Sequence, residues 1–181
     1  MHWIIAAIIA PVPLFHLWLH ALLPFWRKRP LLIYFVALCA WIAIFAYFSW
    51  LSPRSEYLFV PSQNYELGGY ALMAIGACAV LSSVFTLGPK RFFVWAVLKP
   101  DSAPHTRLTK GIFHFIPHPA YIGHLIISIG NFLSRGQFYL FYLIILLAIL
   151  FPIVIVLEEK EMVEREHTSR HSRNSHIGSL S

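Results

Sequence analysis

"FIPHPAYIGHLIISIG", residues 115–130, places a histidine, two prolines and a tyrosine at the mouth of an apolar run. Pro119 suits the first turn of a helix, where its missing N–H leaves nothing unsatisfied. The run ends near Ser134, and only Arg135-Gly136-Gln137 separates it from the next apolar stretch. About 16 residues at 1.5 Å each reach roughly 24 Å, short of a hydrocarbon core of about 30 Å. This stretch therefore reads as one short leg of a tight antiparallel hairpin. A short span is tolerated where its end is covered by protein or opens on a polar cavity.

Working outward, the rest of the chain supplies longer runs. Residues 3–26 form one, with Pro11 and Pro13 expected to kink it. Others cover 31–51, 67–87 and 138–157, and the last carries Pro152 near its end. Only 12% of the residues are charged and 58% are hydrophobic, with a mean hydropathy of +0.65. Soluble domains carry about 25% charge, so the composition is that of a membrane-embedded protein. The expected fold is all-α, a polytopic membrane helical bundle of about five transmembrane helices. Its single domain covers 1–166, and 167–181 form a polar, flexible tail. With no Lys or Arg ahead of it, the first run reads as a span, not a secretory signal.

The formal charge of +6 is dispersed in short blocks between apolar runs, which argues against a nucleic-acid partner. Of the fourteen Lys and Arg residues, all but Arg54 and Arg135 fall on one side of the five-span layout. The positive-inside rule makes that side cytoplasmic, with the N-terminus outside and the C-terminus inside. Cys39 and Cys78 stand apart within apolar runs, and are expected as small buried residues outside any disulfide or metal site.

The hairpin brings "LEEKE", residues 157–161, back to the membrane face where His118 begins its helix. His118 and Tyr121 lie about one turn apart on one helical face. Gly123 and Gly130 form a stripe open to close helix approach. Each residue alone has an ordinary explanation: a helix cap, an interfacial anchor, the end of a span. Together, an imidazole, a phenol and two carboxylates beside a truncated span point to a binding cavity.

"HPAYIG", an apolar hairpin and then "EE" resemble the signature of the isoprenylcysteine carboxyl methyltransferases and the related phospholipid N-methyltransferases. "LGPKRFF" and "TRLTKGIFHF" are similar to that family's loop before its His-Pro, so the resemblance spans about 87–166. It implies a cytoplasmic-side pocket for S-adenosylmethionine and a lipophilic methyl acceptor, a carboxylate, amine or thiol, drawn from the bilayer and its membrane lipid. By position, His118 and Tyr121 would line the cofactor pocket, and Gly123 would admit close approach. Glu158 and Glu159 would hold ribose hydroxyls or the amino group. Two departures stand out. Pro117 occupies the place of the family's usual Arg, which Arg107 or Lys110 would have to replace. After the glutamates, "EREHTSRHSRNSH" lacks the family's Phe-Gly and its tyrosine-containing helix.

Other readings fit parts of the chain. Membrane sterol reductases using NADPH also look similar near His-Pro-x-Tyr, but are longer. A non-catalytic membrane scaffold derived from the family fits the two departures. His16 and His20, one turn apart, read as a bundle-facing hydrogen-bonding pair, or as a metal pair lacking a third ligand. His167 and His171 repeat that spacing in a solvated helix end. "RFFVWAVLK", 91–99, reads as a segment lying on the cytoplasmic leaflet.

Overall fold

The computed structural model describes residues 2–100 and 108–178, with side chains described through Glu164. Arg107, one of the two suggested replacements for the family arginine, lies outside the described residues. Among the described residues the fold is all-α. The first apolar run breaks into α1 (His2–Ile9), α2 (Pro11–Ala21) and α3 (Leu23–Lys28). Pro11 starts α2, and its missing N–H and its ring account for the break at Ala10. Then come α4 (Pro30–Leu51), α5 (Gln63–Leu87), the short α6 (Pro89–Phe92) and α7 (Trp95–Leu98), α8 (Pro119–Leu133) and α9 (Phe138–Gly178). The last continues past residue 166, where the polar tail was expected to begin.

Four helical stretches are long and apolar enough to cross a membrane: His2–Ala21, Pro30–Arg54, Gln63–Leu87 and Phe138–Glu164. Helix α8, with 15 residues, is the short one. The protein is a multi-pass membrane protein. Its outer faces agree, since Leu31, Phe35, Ile42 and Phe85 are exposed, apolar side chains suited to lipid. Cys39 and Cys78 are free and exposed on this same surface, not buried as expected. Their neighbours made them look internal, but a lipid-facing surface is as apolar as a core.

Helices α5 and α8 pack antiparallel on two glycine pairs. Gly76 meets Gly123, and Gly69 meets Gly130, two turns away on both helices. A Cβ on Gly76 would lie 2.6 Å from the Gly123 carbonyl oxygen, and one on Gly123 2.8 Å from that of Gly76. Small residues here let the backbones touch, the main source of helix association in lipid. On the other side, Ala6, Ala7, Leu140, Leu143, Leu147 and Val154 form a core between α1 and α9.

The chain ends of the bundle differ. One, the basic end, carries Arg27, the 88–98 linker, His118 and the glutamates of α9. At the other, the hairpin turn holds Gly136 at φ +64°, and any Cβ there would strike the Phe59 carbonyl. Leu58 N–H donates to the Gly136 carbonyl at 2.6 Å, and Phe138 N–H to that of Glu56 at 3.0 Å.

Candidate functional site

Three helices converge at the basic end. Helix α8 begins at Pro119, which puts His118 at its N-cap and Tyr121 in its first turn. Helix α9 returns from the hairpin with Glu158, Glu159 and Glu161 near the same level. Helix α2 adds His16 and His20.

The structure brings four of the five expected site residues together. His118 Nε2 lies 3.0 Å from Glu159 Oε1, and His118 Nδ1 lies 3.8 Å from Glu158 Oε2. The Tyr121 hydroxyl donates a short hydrogen bond to Glu158 Oε1. The imidazole of His118 stacks along the Tyr121 ring, with centroids 6.1 Å apart and planes 20° from parallel. Gly123 stands apart from this group. It faces α5 against the Gly76 backbone, so its missing side chain serves helix packing and not the cavity wall.

His16 completes the cluster. Its Nδ1 lies 2.9 Å from Glu158 Oε1 and 2.8 Å from the Tyr121 oxygen. The phenol has one proton, already given to the carboxylate, so a proton on Nδ1 satisfies both contacts from the histidine side. The sequence marked His16 as bundle-facing but gave no sign of its partner, because the contact spans 142 residues. A second long-range pair was also missed: Arg27 donates from Nη2 to Glu161 Oε1 at 2.8 Å and from Nε to the Val97 carbonyl at 3.2 Å. The pair ties α3 to α9 and to the linker.

This cluster forms the polar wall of a cavity of about 730 Å³. The remaining wall is mostly apolar, with Trp41 of α4 and Val80 and Val84 of α5 among its members. Such a volume lies within the usual range of about 300–1,000 Å³ for small-molecule sites, and the apolar lining with a few converging polar groups is their usual composition. The 91–99 segment, expected at the leaflet, packs one side into the wall. Val94, Ala96 and Leu98 are buried, and Tyr34 donates to the Phe93 carbonyl at 2.6 Å. Arg91 lines the cavity, whereas Lys110 is exposed and does not. Among the described Lys and Arg residues, Arg91 is therefore the one on the wall.

A family model described as phospholipid methyltransferase matches residues 65–170, more than half of the chain. The chain belongs to the phospholipid methyltransferase family. Membership supports, at the level of the family, S-adenosylmethionine-dependent methyl transfer to a lipophilic acceptor. No curated protein and no solved structure matches it. The match takes in His118, Tyr121, Glu158 and Glu159 but begins in α5. His16, His20 and Arg27 come from outside it, on the N-terminal helices that this chain packs against the matched hairpin.

Proposed function

We propose that the cavity at the basic end binds S-adenosylmethionine and that a lipophilic acceptor reaches it from the bilayer. The observation that supports this reading most is the contact of His118, Tyr121, Glu158 and Glu159 on the wall of one cavity. When bound, the cofactor supplies an electrophilic methyl group on a sulfonium cation. The residue types fit such a ligand. Carboxylates are strong partners for an ammonium group and for ribose hydroxyls, and Glu158 and Glu159 supply two at the cavity edge.

The chain's own part in the reaction is to bind, align and exclude water. Methyl transfer is an in-line displacement, so most of the acceleration comes from holding donor and acceptor in register and from fixed charges. Tyr121 and His118 clamp the two glutamates and fix where their oxygens point. The apolar wall at Trp41, Val80 and Val84 receives the hydrocarbon part of the acceptor and keeps water out. A carboxylate acceptor needs no proton removed. An amine or thiol does, and His16 with Glu158 is a proton-accepting couple on the wall.

In this reading α8 also crosses, as the fourth of five spans, the basic end is cytoplasmic, and the N-terminus lies outside. A C-terminal reporter active only outside the cell would overturn that orientation. The activity itself is tested by incubating purified protein with methyl-labelled S-adenosylmethionine and membrane lipids. Label should appear in an organic-extractable product only with the protein present. No labelled product, together with no binding of the cofactor, would contradict the proposal.

A further inference from the structure

His20 takes no part in the proposed methyl-transfer site, yet it stands at its edge. One turn after His16 on α2, it lines the same cavity. One ring nitrogen each of His16 and His20 and one oxygen of Glu158 all lie within 4.8 Å of one another. Two histidines at i and i+4 on one helix face, with a carboxylate from a second helix, form a ligand set of the zinc type. The sequence offered the histidine pair with no third ligand; the fold supplies it from the far end of the chain.

We propose that His16, His20 and Glu158 bind a divalent transition-metal ion of the zinc class. Imidazole and carboxylate donors suit Zn²⁺ and its neighbours, not the hard ions Mg²⁺ and Ca²⁺, which prefer all-oxygen sets. With bonds of about 2.0–2.1 Å, tetrahedral ligands sit about 3.3 Å apart. His16 Nδ1 and Glu158 Oε1, 2.9 Å apart, are already near that spacing. The third donor, a nitrogen of His20, lies within 4.8 Å of both. The Tyr121 hydroxyl on Glu158 orients the carboxylate as outer-shell partners of metal ligands do. Three protein ligands leave a coordination position, and all three residues line the cavity, so the vacant position is open to a water or to a donor atom of the acceptor. The site joins the N-terminal helices to the family-matched hairpin, and it does not depend on the methyl-transfer reading.

The test uses the full-length protein in detergent, free of any purification tag, stripped with a chelator and titrated with Co²⁺. Ligand-field absorption should rise to a plateau at one ion per chain and vanish on addition of Zn²⁺. His20→Ala and Glu158→Gln should each weaken Co²⁺ at least tenfold, whereas His114→Ala, at an exposed site, should not change it. His171→Ala controls for the tail histidines. If a variant fails to fold, the wild-type titration and the remaining variant still decide. No saturable Co²⁺ signal, a signal insensitive to both His20→Ala and Glu158→Gln, or one lost with His171→Ala would overturn the site. Binding of S-adenosylhomocysteine by the stripped protein, measured in parallel, separates failure of this proposal from failure of the cofactor reading.

Discussion

At the basic end, polar side chains of α2, α8 and α9 bond mainly to one another and face open volume; at the far end, most of their bonds go to backbone. Asn131 is fully buried and donates to the His2 carbonyl at 3.0 Å, while its own oxygen lies 3.1 Å from His2 Nδ1. Ser134 donates to the Asn131 carbonyl at 2.9 Å, and Gln137 to the Ser52 carbonyl at 3.1 Å. The Ser134 and Gln137 bonds satisfy carbonyls at or beyond helix ends, the Asn131 bond adds a second donor to a carbonyl at the start of α1, and together they pin the 134–137 turn to its neighbours. The histidines and glutamates of the basic end have partners that a ligand can replace. On the proposed function, similar polarity serves architecture at one end and recognition at the other, with the glycine-paired α5 and α8 running between them.

The sharpest way to break that contrast is Glu158→Gln. Hydrogen bonds to charged groups are worth about 1.5–3 kcal/mol, so kcat/KM for methyl transfer should fall about ten- to hundredfold. Thermal stability should change much less, because Gln keeps the shape and one acceptor oxygen. An activity within twofold of wild type would place the cluster among structural features. Next, Gly123→Ala should destabilise the bundle by about 1–3 kcal/mol through overpacking against Gly76, as read by detergent unfolding. A neutral result would show that α5 and α8 do not touch there.

Asn131→Ala probes the far end. It removes the bond to the His2 carbonyl and the acceptor facing His2 Nδ1, and should cost about 1–3 kcal/mol of stability. Below its unfolding transition it should retain the wild-type KM for the methyl donor, and a raised KM would mean the two ends are not separable. Smallest of the four, Arg27→Gln removes an ion pair whose arginine is more than one-third exposed. Its stability effect should stay near or below about 1 kcal/mol after solvent screening. A modest rise in KM is expected if the linker strap helps hold the cavity wall.

The sequence made some of this legible for identifiable reasons. The hairpin could be read from one short apolar run, a three-residue turn and a longer run. It follows from such a hairpin that residues at the start of one leg meet those at the end of the other, so His118 and Tyr121 could be placed beside Glu158 and Glu159. Gly123 and Gly130 were visible as a packing stripe, but their spacing cannot say which helix fills it. His16, Arg27 and Arg91 join the site through contacts between helices distant in sequence, and no local pattern encodes those. The 91–99 segment has an amphipathic rhythm that suits a lipid surface as well as a protein wall. Only the fold, through Tyr34 and Arg27, shows that it also packs into the wall. The cysteines failed for a related reason, since hydropathy does not separate a lipid-facing helix side from a core-facing one.

The central claim is that the carboxylates of α9 at the basic end receive the methyl donor. Calorimetric titration of S-adenosylhomocysteine into the wild-type protein and into a Glu158→Gln/Glu159→Gln variant tests it most directly. Saturable binding by the wild type, weakened at least tenfold in a variant that still unfolds cooperatively, is the predicted result. Equal affinity in both proteins, or no binding in either, would contradict it.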